Sequence, residues 1–246
     1  MKLAIMQPYF LPYIGYFQLM REVDRFVIYD DVNYINRGWI NRNRILVQGK
    51  EHKFTLPLQN ASQNCKIKDI QLDDNPKWKE KLLKTIELSY KKAPNFSSVM
   101  QLVDAVFKCE ALNLSDFVCH SLIQVHDHLG LKTDIVRTSR KYNNDHLAAQ
   151  DRIIDICRQE GADAYINPIN GAALYRFEDF DKVGISLSFL RTSEIRYEQH
   201  KVDGFVPFLS ILDHLMFNSL EDVKHQLGSF AILSNAEEID RIANHE

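Results

Sequence analysis

The densest set of groups able to do chemistry lies between residues 33 and 44, NYINRGWINRNR, where three arginines, four asparagines and two aromatic residues fall within twelve positions. Arg42 and Arg44 offer forked donors that match phosphate oxygens, and Trp39 offers a face on which a base or sugar can stack. The same run also fits the solvated edge of a hairpin. Just upstream, Asp30 and Asp31 close an apolar run, RFVIYDDV. Adjacent carboxylates there suit a proton acceptor or a Mg²⁺ ligand, but neighbours on a strand point to opposite faces and share one ligand only if the chain has turned. Gln7 and Tyr9 follow the first apolar run, with Tyr13 and Tyr16 close behind, and Asn167 and Asn170 follow the run AYINPI. The tyrosines serve a ligand or lie in the core with their hydroxyls bonded.

Other chemistries find little support. His126 and His128 stand two apart, a spacing that does not present both rings to one metal on a helix. The four cysteines, at 65, 109, 119 and 157, have no C-x-x-C spacing, so a zinc knuckle or redox dithiol is not expected, and the scatter fits a reducing compartment. Cys65 lies beside Lys66 and Lys68 but reads as an ordinary lone thiol. The G-x-S-x-G elbow, the Walker loop and a complete G-x-G-x-x-G are all missing.

Elements able to position these groups are legible from the apolar pattern. KLAIM and RFVIYDDV read as buried strands flanking a helix from about Pro12 to Glu22, the βαβ unit of a parallel sheet. WINRNRILVQGKEHKFTLPL places two strand-like runs around Gln48-Gly49-Lys50, an antiparallel hairpin excursion. Helical spacing from Lys77 to about Leu129 predicts two to four helices, so that 75–130 forms a helical insertion or subdomain within a single domain over 1–246. TDIVRTS, a helix ending at Gly161, AYINPI and ISLSFLR restore the alternation. A final helix is expected from about Ser210 to Leu227, opened by a capping box of Ser210 and Asp213, and NAEEIDRIANHE as a short helix or frayed tail. The expected fold is α/β, a Rossmann-like, mostly parallel sheet. In such sheets ligands bind beyond the carboxyl ends of the strands, which is where Gln7, Asp30-Asp31 and Asn167 would lie.

With 45% hydrophobic and 26% charged residues, 246 positions form an ordinary globular chain rather than a disordered or disulfide-stapled one. Thirty Lys+Arg against 33 Asp+Glu supply no global basic field, so nucleic acid is not an expected partner. The opening MKLAIMQPYFLPYIGYF, interrupted by Pro8 and Pro12, reads as structure and not as a signal. No apolar run of about 18 residues occurs, so no transmembrane segment is expected and the cytoplasm is the expected location.

The block QPYFLPYIGYFQLMREVDRFVIYDDVNYINRGWINRNRI, together with YEQHKVDGFVPFLSILDHLMFN, resembles the WbqC-like family over most of the chain. The family pattern falls on Gln7, Pro8, Tyr9, Pro12, Gly15, Tyr16, Asp30, Asp31, Asn41, Arg42 and Asn43, then on Tyr197, Gln199, Phe205, Pro207, Ser210 and Asp213. Ser219 departs from it, standing where a Gly tends to follow the final Asn. The resemblance implies an enzyme of bacterial surface polysaccharide (O-antigen type) biosynthesis that attaches an acyl or aminoacyl group, such as glycyl, to the amino group of a nucleotide-linked sugar. The donor would be an acyl thioester, on a carrier protein or another activated form, with no metal. Asp30 or Asp31 would act as base; Asn43, Gln7 or a tyrosine would stabilise the oxyanion; Arg42 and Arg44 would hold the diphosphate. A fainter resemblance joins residues 7–16 to HIGH-type nucleotidylyltransferases, with Tyr13 and Tyr16 replacing both histidines and Phe10 the aspartate. Altered nucleotidyl transfer and non-catalytic nucleotide-sugar binding are therefore the alternatives.

Overall fold

Strand β1 (Lys2–Met6) is buried on both faces, Leu3, Ala4 and Ile5 having almost no exposed surface, as its unbroken apolar run requires. A computed structural model describes residues 1–200, 202 and 204–243 of the chain. Helix α1 (Ile14–Glu22) leads from β1 to β2 (Arg25–Ile28), which pairs parallel with it in the register Leu3 to Arg25. A hairpin follows, β3 (Arg42–Val47) and β4 (Lys50–Thr55), whose two-residue turn places Gln48 and Gly49 at positive φ, as a twisted tight hairpin demands. A short ribbon, β5 (Leu58–Gln59) with β6 (Gln71–Leu72), precedes three helices: α2 (Lys77–Tyr90), α3 (Phe96–Phe107) and α4 (Leu114–Leu129).

The chain then returns to the sheet through β7 (Asp134–Val136), α5 (Ala149–Glu160), β8 (Ala164–Pro168), α6 (Phe177–Asp181) and β9 (Ser186–Thr192). Gly161 caps α5 in the left-handed conformation, as its position in the sequence predicts. Helices α7 (Ile211–Phe217) and α8 (Leu220–Gln226), strand β10 (Phe230–Leu233) and α9 (Ala236–Ala243) complete it. The central sheet runs β10-β9-β8-β1-β2-β7, parallel except for β10. Successive residues of β1 serve opposite layers. Ala4 joins one buried cluster with α1–α4, α7 and α8, while Leu3 and Ile5 join another with α5 and α6. The expected mostly parallel α/β fold, with its antiparallel hairpin and helical insertion, is the one observed. No helix among the described residues is long and apolar enough to cross a membrane.

Two local expectations are corrected. The expected helix from Ser210 to Leu227 is two helices, because Asn95 Nδ2 donates to the carbonyls of Leu215 and Asn218 while Asn218 turns to an extended conformation. Ser219 then starts α8, its hydroxyl accepting from Asp222 N at 3.1 Å. Asp213 does not form a capping box with Ser210; its carboxylate turns instead to two tyrosines. Beyond α8 the chain adds the edge strand β10, and the tail forms α9, with residues 244–246 outside the described residues.

Candidate functional site

The order of strands reverses at β1: the chain proceeds from it to β2 and β7 on one side, and β8 to β10 lie on the other. At such a switch point the connections leave in opposite directions and a crevice opens beyond the strand ends. A cleft of ≈ 590 Å³ lies there. Met6 and Gln7 line it from the end of β1, Asn167, Pro168, Asn170 and Gly171 from the end of β8, and Tyr29 from the end of β2. The start of α1 adds Pro12, Tyr13, Gly15 and Tyr16, and the connection into β3 adds Trp39, Asn43 and Arg44.

Three distant segments are laced together to form this wall. Asn43 Nδ2 donates to the carbonyls of Phe10 (3.2 Å) and Leu11 (2.8 Å), and Ser210 Oγ donates to Leu11 O at 2.8 Å. These bonds hold Leu11 at φ 44, a left-handed conformation that a leucine adopts only when its surroundings impose it. Ser210 N donates to Arg44 O and Ile211 N to Pro12 O, both at 2.9 Å. Gln199 pins the same loop by exchanging two 2.9 Å bonds with the backbone of Val206. Arg44 reaches Glu51 at 2.7 Å and the carbonyls of Pro207 and Phe208, and its guanidinium also stands 5.6 Å from the Trp39 ring. Phe208, itself at φ 56, packs edge-to-face on Tyr13.

The cleft is rich in neutral donors. Tyr9, Tyr13, Tyr16, Tyr29 and Tyr175 all have hydroxyls whose pKa burial raises, Tyr29 to about 12 with the nearby Arg152 opposing the shift. They therefore remain phenols across neutral pH and act as donors, not bases. Tyr16 donates to Gln7 O at 2.9 Å. Asn167 Nδ2 donates to the hydroxyls of Tyr165 (2.6 Å) and Tyr175 (3.3 Å), so its orientation is fixed. A Cβ on Gly171 would meet Asn167 Oδ1 at 2.4 Å, which is why that turn carries glycine. Two buried polar atoms of residues that line the cleft, Gln7 Oε1 and Arg44 Nε, have no hydrogen-bond partner. Such atoms are rare in folded proteins.

The remaining candidates lie elsewhere. Asp30 is fully buried and accepts from Thr138 Oγ1 (2.7 Å), Ser115 Oγ (2.9 Å), Ser139 N (3.1 Å) and Arg140 (3.3 Å). Asp31 is ion-paired with buried Arg152 and accepts from Ser139 Oγ. Neither carboxylate lines the cleft, because β2 ends with Tyr29 facing it and the chain turns both acids toward residues 138–152. Asp31 nonetheless acts on the cleft at one remove, since Arg152 sits 5.0 Å from the Tyr29 ring centroid. Arg42 does not line the cleft; its guanidinium stands 5.7 Å from the Trp39 ring centroid and donates to Gly38 O. Asp213 is fully buried and accepts from Tyr90 and Tyr197, each at 2.7 Å, and burial raises its pKa against the effect of those bonds. Tyr197, Gln199, Ser210 and Asp213 thus brace the loop behind the cleft without lining it. Among the described residues no cluster of His, Cys, Asp or Glu could hold a metal ion.

The WbqC-like protein family model matches residues 7–225, a span that contains all three laced segments. The chain belongs to this family. Another protein similar to this WbqC-like chain is the uncharacterized protein Rv1507c of Mycobacterium tuberculosis, 29% identical over 219 residues that cover 88% of this chain and 93% of the relative. No solved structure matches the WbqC-like chain significantly.

The sequence reading missed Tyr29, Tyr175, Arg152, Ile35, Leu174 and Phe208. Tyr29 had a usable signal, as the residue just before Asp30 at a strand end. The apolar members had none, since an exposed leucine is indistinguishable in sequence from a buried one.

Proposed function

We propose that this protein is a cytoplasmic transferase that acylates or aminoacylates the amino group of a nucleotide-linked amino sugar for surface polysaccharide of the O-antigen type. The observation that carries the proposal is the cleft at the switch point, with aromatic faces for a sugar or base and phenol and amide donors around them. The N-terminus of α1 opens onto it with no acid in its first turn, which favours an anionic group such as a diphosphate. Arg42, 5.7 Å from the Trp39 ring centroid, would then meet a phosphate at the rim.

In the reaction, the neutral amine nitrogen bonds to the acyl carbon of a thioester donor as the C–S bond breaks. The sulfur leaves as thiolate and takes the proton shed by nitrogen, so the products are an amide and a thiol. A phenol of Tyr9 or Tyr13 would donate to the developing oxyanion. Asp31 enters this scheme as a positioning residue, through Arg152 and Tyr29, rather than as the base. The test is incubation with a nucleotide amino sugar and candidate thioesters, an acyl or aminoacyl carrier protein included, followed by mass spectrometry for the amide. Product should form and should fall in Arg42→Ala and Trp39→Ala.

A second reading is favoured by one observation: the lining side chains include no imidazole and no carboxylate among the described residues. A non-catalytic nucleotide-sugar binder needs neither. Calorimetric binding of the nucleotide sugar with no amide from any donor would select this reading over the first.

A further inference from the structure

Four large apolar side chains stand exposed around the mouth of the cleft. Ile35 is 52% exposed, Trp39 40%, Leu174 69% and Phe208 64%, and all four line the cleft wall. They come from three separate stretches of chain: the loop between β2 and β3, which carries Ile35 and Trp39, the turn after β8 and the approach to α7. Convergence of exposed apolar groups from separate segments marks a binding surface, because scattered surface leucines have no reason to gather at one opening. Phe208 is also held there against its backbone preference, at φ 56, by Arg44 bonds to its carbonyl and to that of Pro207.

The inner wall has a mixed character. Gln7 and Asn167 present amides at the strand ends among the apolar Ile5, Met6 and Ile153. The one charged side chain in the lining, Arg44, is a cation already paired with Glu51, and no carboxylate lines the cleft among the described residues. An aminoacyl group would bring an ammonium to a mouth that offers it no carboxylate partner among the described residues, and would leave the four apolar side chains uncovered. A hydrocarbon chain would bury its surface against the four exposed side chains.

Resting on the transferase reading above, we infer that the mouth is the donor subsite and that the group transferred is a hydrocarbon acyl chain rather than an aminoacyl group such as glycyl. The acceptor sugar then lies against the amides of Gln7 and Asn167, and the thioester carbon lies between them and the mouth.

Binding and turnover test this separately. Affinities would be measured by calorimetry for two non-reacting coenzyme A thioethers, S-octyl and S-(2-aminoethyl), against the intact protein. The S-octyl compound should bind at least about tenfold more tightly, a difference of about 1.4 kcal/mol. Leu174→Asp and, independently, Phe208→Ser should abolish that preference while unfolding at the wild-type denaturant midpoint, both side chains being exposed. Equal or tighter binding of the aminoethyl compound would overturn the inference, as would octyl binding indifferent to both substitutions, or affinity for phospholipid vesicles with none for either thioether. Amide formed from a glycyl thioester but not from octanoyl-coenzyme A would also overturn it while leaving the transferase reading intact. The octyl preference with no amide from any donor would instead sink the transferase reading and retain the apolar subsite.

Discussion

Two groups of polar residues lie beyond the carboxyl ends of the same parallel sheet, and they differ in what is left unsatisfied. At the end of β2, Asp30 and Asp31 meet Thr138, Ser139, Arg140 and Arg152, so the carboxylates are matched by hydroxyl, amide and guanidinium donors. Around the cleft the lining carries one charged side chain among the described residues, Arg44, yet the buried atoms Gln7 Oε1 and Arg44 Nε have no partner. A pair of adjacent acids draws attention in any sequence. The cleft, by contrast, is lined by neutral amides and phenols, and a polar group with all its partners in the folded chain has little left to offer a ligand.

The sharpest way to break this contrast is to remove one half of the Asp31–Arg152 pair. Asp31→Ala leaves a buried guanidinium uncompensated and should cost about 3–5 kcal/mol in urea unfolding. Adding Arg152→Met to it should recover much of the loss, and a double-mutant cycle measures the coupling. If Asp31→Ala proved stable but unable to bind nucleotide sugar, the acid would belong to the site after all. A smaller effect is expected on the other side. Gly171→Ala forces Asn167 away from Tyr165 and Tyr175, and should weaken nucleotide-sugar binding about tenfold, or about 1.4 kcal/mol, by calorimetry.

Asp213 is a buried acid held by neutral donors, the hydroxyls of Tyr90 and Tyr197 with the Gln199 amide beside them. Its folded pKa lies above the unfolded value of about 3.9, so the folded state holds the proton more tightly. The contribution to stability is full below that unfolded value and is lost as pH rises through the folded one. Asp213→Asn should flatten this decline and, at neutral pH, lie within about 1 kcal/mol of wild type, since the amide oxygen accepts from one tyrosine and the NH2 can donate to the hydroxyl oxygen of the other. A steeper decline in the variant would contradict the assignment. The smallest effect concerns Tyr29. With its phenol pushed up to about 12, binding of a uridine diphosphate sugar should be flat from about pH 6 to 9. An inflection in that range would reveal a titrating group in the cleft.

Much of the architecture was legible because it depends on near neighbours. KLAIM is a strand by its unbroken apolar run, and Gln48-Gly49 is a hairpin turn by its tolerance of positive φ. Gln7, Asn167 and Asn170 could be placed at the cleft because residues after parallel strands collect at one edge of the sheet. The break between α7 and α8 carried a signal too, Ser219 with Asp222 three residues on, but it was hidden inside a continuous helical period. The structural place of Asp30 and Asp31 was not legible, since Thr138 and Ser139 lie 108 residues away from them. Nor was the apolar mouth, because exposure of Leu174 and Phe208 depends on what fails to cover them.

From the residues alone came the periodicities, the turn chemistry and hence the parallel sheet with its ligand-binding edge. Local sterics and the burial of apolar faces act over a few residues and are written in short segments. Tertiary structure alone decided which polar groups are spent on one another and which are left unpaired. Satisfaction of a buried charge or amide requires donors that arrive from anywhere in the chain, and only the folded arrangement brings Ser139 to Asp31, Ser210 to Leu11 and Phe208 to Tyr13.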